Sequence, residues 1–175
     1  METGLNTYIK EQFGITQDVD IRTVNPLTLA YIGDGVYELI VRSVMTARMN
    51  TKAKLLHRQT SQLVKAEAQS KMMEILLPHL SGEEEHVYRR GRNAKSPTMA
   101  KNALVGDYRR ATGFEALMGY LYLTDQTARL MELVKLALDH YTPQEERFAE
   151  AHNRRGRFPS AKKRQTYEET AEHES

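Results

Sequence analysis

The sequence predicts an all-α protein, and three observations carry that prediction. Apolar residues recur at helical spacing in segments near 26–49 and 107–123, helix-start signals precede the periodic stretches, and no alternating run is long enough to read as a strand. The chain has 175 residues and 20.1 kDa, which suits one domain with a core plus a tail. It contains no cysteine, so a disulfide framework, a thiolate metal site and cysteine catalysis are excluded. No apolar run of membrane-span length and no signal-peptide pattern is seen, so we expect a cytoplasmic protein without a membrane partner.

Residues 1–24 are expected to form a lead-in, with a short helix near 5–13 and then an extended stretch. Asn25 is a good N-cap and Pro26 suits the first helical position, so a helix on the order of 35 Å long should run from there to about Met49. Leu29, Ile32, Val36, Ile40 and Val44 line one side, and Leu27, Ala30, Tyr31, Tyr37, Val41 and Met45 extend the apolar surface around most of the circumference. That pattern predicts a buried helix. A second helix is expected over 52–68, with Leu55, Leu56, Gln59, Leu63 and Ala66 on one side, and a third over 70–80, stopped or kinked at Pro78. Ser81-Gly82-Glu83-Glu84 is a capping-box pattern opening a helix to about Arg90, with acids first and arginines last as the helix dipole favours. Gly91 to Gly106 reads as a loop of a length that is usually functional or disordered. Asp107 should cap a helix through Leu123 whose Tyr108, Ala111, Phe114, Ala116, Leu117, Met118, Tyr120, Leu121 and Tyr122 leave almost no polar face. Asp125 should start a last amphipathic helix ending near His140-Tyr141. Residues 25–142 thus make the folded domain, and the charged stretch 143–175 reads as a mostly disordered tail.

The first apolar helix contains Gly33-Asp34-Gly35, although a glycine inside a helix costs about 1 kcal/mol relative to alanine. The two glycines would remove side-chain bulk beside Asp34, so that a ligand or a neighbouring backbone can approach it. A buried carboxylate must be paired or bound to a metal. The other all-apolar helix carries Glu115, and two such helices meet at the centre of a bundle. A divalent cation between the two acids would offset both their repulsion and their desolvation, and oxygen ligands without histidine or cysteine favour Mg²⁺ or Mn²⁺. The competing reading pairs each acid with an internal arginine, lysine or tyrosine. Glu38 is a third candidate ligand, or else the i+4 partner of Arg42.

The net charge is only +2, but it is unevenly spread. Arg89, Arg90, Arg92, Lys95, Lys101, Arg109 and Arg110 share one stretch with a single acid, Asp107, and Arg154, Arg155, Arg157, Lys162, Lys163 and Arg164 cluster near the C-terminus. Such clusters on a near-neutral chain point to a polyanionic partner or to solvated faces.

Leu29-Ala30-Tyr31-Ile32-Gly33-Asp34-Gly35-Val36-Tyr37-Glu38, then Arg90-Gly91-Arg92-Asn93-Ala94-Lys95, then Phe114-Glu115-Ala116-Leu117-Met118-Gly119-Tyr120-Leu121, resemble the mini-ribonuclease III family of bacterial endoribonucleases over about residues 25–140. The resemblance implies a ribonuclease III catalytic domain without the double-stranded-RNA-binding domain of the larger enzymes. It also implies a homodimer that cuts double-stranded RNA, with a role in maturing the ends of 23S ribosomal RNA precursor and with room for a ribosomal protein as helper. By the same resemblance Asp34 is the catalytic aspartate and Glu115 the Mg²⁺-ligating glutamate of the opposing helix. Arg90, Arg92, Asn93, Lys95 and Ser96 would contact phosphates and 2′-hydroxyls. Full-length ribonuclease III places acids four and seven residues before the aspartate and three before the glutamate, where this chain has Ala30, Leu27 and Thr112. That reduction leaves the metal count and the remaining ligands open. A non-catalytic RNA- or ribosome-binding module of the same fold is the alternative, and a bundle with paired internal acids is a third.

Overall fold

Asn25 caps the longest helix as its sequence predicts, its side-chain oxygen accepting from the Leu27 N–H at 2.8 Å ahead of Pro26. The computed structural model describes residues 4–17, 19–49, 51–95 and 105–141. Within them the chain forms α1 (Leu5–Gln12), α2 (Pro26–Arg48), α3 (Ala53–Val64), α4 (Ala66–Leu76), α5 (Gly82–Asn93), α6 (Val105–Leu123) and α7 (Thr127–His140). Short 3₁₀ turns at Ile21–Thr23 and Leu77–His79 complete the order, and the described residues contain no strand, so the all-α expectation holds. No helix among them is long and apolar enough to cross a membrane.

α6 is the central rod, and α2, α4, α5 and α7 pack around it. From Ala111 to Leu121 every residue except Glu115 is buried, which is why this segment has almost no polar face. Leu29, Tyr37 and Val41 of α2 meet Met72, Met73 and Leu76 of α4 and Leu130, Leu133 and Val134 of α7 in the same core. The Tyr37 ring stands edge-on to Phe114, centroids 4.9 Å apart, and its hydroxyl donates to the Leu63 carbonyl at 3.1 Å.

Several boundaries differ from the expected ones, each for a physical reason. The helix expected over 52–68 ends at Val64, where extended Lys65 re-aims the chain, and α4 starts at Ala66. The break turns Ala68, Gln69, Ser70, Met72, Met73 and Leu76 into the core, so tertiary burial outweighs local continuity. α5 continues three residues past Arg90, because Gly91 is a contact point and not a loop residue. A Cβ there would lie 2.6 Å from the Ala116 Cβ and 3.0 Å from the Gly113 Cα on α6. Asp107 falls in the first turn of α6 and does not cap it, since that helix already begins at Val105. α7 starts at Thr127 after Gln126, because Asp125 sits in the left-handed region and points its carboxylate at Thr7. α1 is held by its polar side, through that contact and the Asn6 amide donating to the Leu123 carbonyl. The Ser81–Glu84 capping box forms as expected. The expectation of a disordered tail over 143–175 lies outside the described residues.

Candidate active site

The site begins with backbone contact. α2 crosses α6 so closely that a Cβ on Gly33 would sit 1.8 Å from the Glu115 carbonyl oxygen, and one on Gly119 would sit 2.0 Å from the Leu29 carbonyl oxygen. Only glycine permits main chains to touch in this way. Gly33 therefore does what its sequence context suggests for a neighbouring backbone, whereas a Cβ on Gly35 would meet nothing within 4 Å.

This crossing puts Asp34 and Glu115 within electrostatic reach of each other. Their environments differ. The sequence predicts a buried Asp34 on a helix buried all round, but α2 exposes one stripe that includes Tyr31, Asp34, Gly35 and Leu39, with Tyr31 82% and Leu39 59% exposed. The helical wheel shows only that the stripe is apolar. It cannot tell which neighbour covers it.

Partial desolvation, and then the charge of Glu38, hold Asp34 above its usual carboxylate range. Glu115 lies deeper, where burial first and the Asp34 charge second push it up to about 7. The repulsion between the pair falls on Glu115 because the more exposed Asp34 ionises first, against a neutral neighbour. Neither acid has an ion-pair partner among the described residues. That observation disfavours the internal salt-bridge reading.

Glu38 takes its alternative role, accepting from Arg42 Nη2 at 2.6 Å in an exposed i,i+4 pair. At the three positions where full-length ribonuclease III carries further acids, Leu27 is half-buried, Ala30 is buried, and the Thr112 hydroxyl donates to its own helix at the Tyr108 carbonyl. The described residues contain no group of three histidine, aspartate or glutamate side chains able to hold a metal. The donor set is thus two carboxylates of hard oxygen, without a counter-charge. It fits a hard divalent cation that keeps most of its coordination as water.

One residue of the site escapes the sequence pattern. Gln69 on α4 is 1% exposed, and its carboxamide lies beside the Glu115 carboxylate, where it opposes the upward shift of that group. Yet neither its nitrogen nor its oxygen completes a hydrogen bond of normal geometry. It falls in the gap between two expected helices at 68–70. Its signal is the spacing from Ala66 and to Met72, Met73 and Leu76 in one unbroken register.

The residues expected to meet RNA divide. Arg92, Asn93 and Lys95 are exposed at the end of α5, Ser96 lies outside the described residues, and Arg90 is half-buried with Nη2 donating to the Val24 carbonyl at 2.8 Å. Other members of the basic stretch are paired internally, Arg89 with Glu85 and Arg110 with Asp107.

A model of the ribonuclease III domain matches residues 27–126, the span that holds this helix crossing, and puts the chain in the class of ribonuclease III endoribonucleases. The chain is 46% identical over 134 residues to the mini-ribonuclease 3 of Clostridium tetani, spanning 76% of this chain and 89% of the relative. It is 50% identical over 117 residues to that of Enterococcus faecalis, spanning 66% and 89% respectively. The chain belongs to the mini-ribonuclease 3 family. A crystal structure of a protein from Fusobacterium nucleatum shares the fold with a TM-score of 0.63 at 25% identity, covering 70% of this chain and 98% of that one.

Proposed function

We propose that this endoribonuclease hydrolyses double-stranded RNA at a Mg²⁺ site, with Mn²⁺ as a substitute, held by Asp34 and Glu115. The observation that carries the reading is the pair itself, two neighbouring carboxylates without a cationic side chain paired to them among the described residues, the deeper one pushed up to about 7. A bound Mg²⁺ supplies an activated water and stabilises charge on the departing oxygen. Asp34, at the exposed rim, is placed to meet the phosphodiester, and Glu115 anchors the site from below. Hydrolysis by water needs no side-chain nucleophile and leaves 5′-phosphate and 3′-hydroxyl ends. Arg92, Asn93 and Lys95 hold the backbone of an A-form duplex, recognised by shape, and Arg90 supports them from within the fold.

The working unit is a homodimer. The exposed apolar stripe of Tyr31 and Leu39 around bare Gly35 is what a second copy would cover, beside Asp34. The family resemblance supports 23S ribosomal RNA precursor, in the cytoplasm, as the substrate of this reading.

The test is cleavage of a duplex RNA by the full chain with Mg²⁺ and with chelator, followed by mapping of the product ends. Asp34→Ala should lower cleavage by about a thousandfold or more while leaving duplex affinity within about tenfold. Undiminished cleavage by that variant, or equal cleavage in chelator, would overturn the assignment in favour of a module that only binds RNA.

A further inference from the structure

Most polar side chains that a helix turns inward find a partner, and where none is available an apolar residue of the same shape serves the fold better. A buried amide with an unmet donor and acceptor is destabilising, and replacing it by an apolar isostere is close to neutral or stabilising. Gln69 is the case in this molecule. It is 1% exposed on α4, in register with Met72, Met73 and Leu76, and both of its polar atoms lack a hydrogen bond. Packing alone would be met by leucine or methionine there. What distinguishes the position is its neighbour, the Glu115 carboxylate, which also lies within electrostatic reach of Asp34.

We infer that Gln69 is a positioning residue for Glu115, its carboxamide N–H closing on one carboxylate oxygen so that the other is turned toward Asp34. The amide is the right group for this task. A lysine or arginine would neutralise Glu115 and compete with a cation, whereas a neutral donor fixes its orientation and leaves its charge. A carboxylate oxygen is a strong acceptor for such a donor. Groups that orient a metal-binding side chain from behind typically change metal affinity by about 10- to 100-fold when removed.

This inference rests on the metal reading of Asp34 and Glu115, and the experiment separates the two. Mn²⁺ affinity is measured by calorimetry on the full chain without RNA, for the parent, Gln69→Leu, Gln69→Met and Glu115→Gln. The Glu115 carboxyl is also titrated by ¹³C NMR in metal-free protein. We expect both Gln69 variants to fold with a melting temperature equal to or above the parent's, to bind Mn²⁺ about tenfold more weakly, and to titrate Glu115 at higher pH. Methionine, unbranched, covers the case in which leucine does not pack. Parent-like Mn²⁺ affinity in both Gln69 variants, with binding lost in Glu115→Gln, would reduce Gln69 to packing and overturn the inference alone. If Glu115→Gln itself leaves Mn²⁺ affinity unchanged, the metal reading falls and the inference falls with it.

Discussion

Glu84 on α5 meets Arg129 of α7 through Nε at 2.8 Å and accepts the Ser81 N–H at 2.8 Å, whereas Glu115 on α6 has no cation among the described residues and faces a second carboxylate. The hydrogen-bonded guanidinium holds Glu84 below the usual carboxylate range against a smaller desolvation penalty. Burial dominates at Glu115 and drives it the other way. Two glutamates drawn into one small domain therefore have opposite ionisation preferences. The first is part of the scaffold, its charge matched by folding alone. The second is left unmatched by the described fold, as the proposed metal site requires.

The most damaging way to break the contrast is to remove the matched acid. Glu84→Ala leaves Arg129 only Glu132 and the His79 carbonyl as partners and undoes the capping box, and should cost about 2 kcal/mol of unfolding free energy, read by urea denaturation near pH 7. The stabilising effect of Glu84 is present above its unfolded pKa and fades as pH falls through its lowered folded value, so the loss should shrink in acid.

Glu115→Gln should act with the opposite sign. Its carboxyl holds a proton more tightly folded than unfolded, so the parent is favoured below the ordinary value of 4.5 and loses that advantage as pH rises toward about 7. Without a divalent cation the Gln variant should gain on the order of 2 kcal/mol relative to the parent at pH 8, and nothing at pH 4. Excess Mg²⁺ should narrow or reverse that gap, because it stabilises only the parent. Thermal melts at the two pH values, with and without Mg²⁺, check all three expectations.

Arg42→Ala gives the small end of the scale. It removes the exposed pair with Glu38 and should change stability by less than about 0.5 kcal/mol, visible in denaturation midpoints at low salt. A loss as large as that of Glu84→Ala would show that burial is not what separates the two pairs.

Much of this was open to reading from residues alone, and the reasons for the rest are specific. Asp34 and Glu115 stand out because each interrupts an otherwise apolar helix, and the Asn25 cap and Ser81–Glu84 box mark their helices from local chemistry. Periodicity could not show that the Tyr31–Leu39 stripe faces outward, since the pattern of a buried face and that of an exposed apolar face are the same. Gly91 looked like loop punctuation because its reason, the approach of Gly113 and Ala116, lies on another helix. Gln69 was hidden by the break at Lys65, which no proline or glycine announces. In each case the missing information was long-range.

The Gly33–Gly119 crossing has a consequence for how the enzyme tolerates change. The gap between the two acids is gauged by peptide groups, which have no rotamers to exchange and no methyl groups to lose. Substituting the surrounding leucines and methionines, or warming the protein until their side chains hop, alters the filling around the joint far more than the joint itself. The spacing of the two acids is thereby written in main-chain stereochemistry, the least variable dimension a protein possesses.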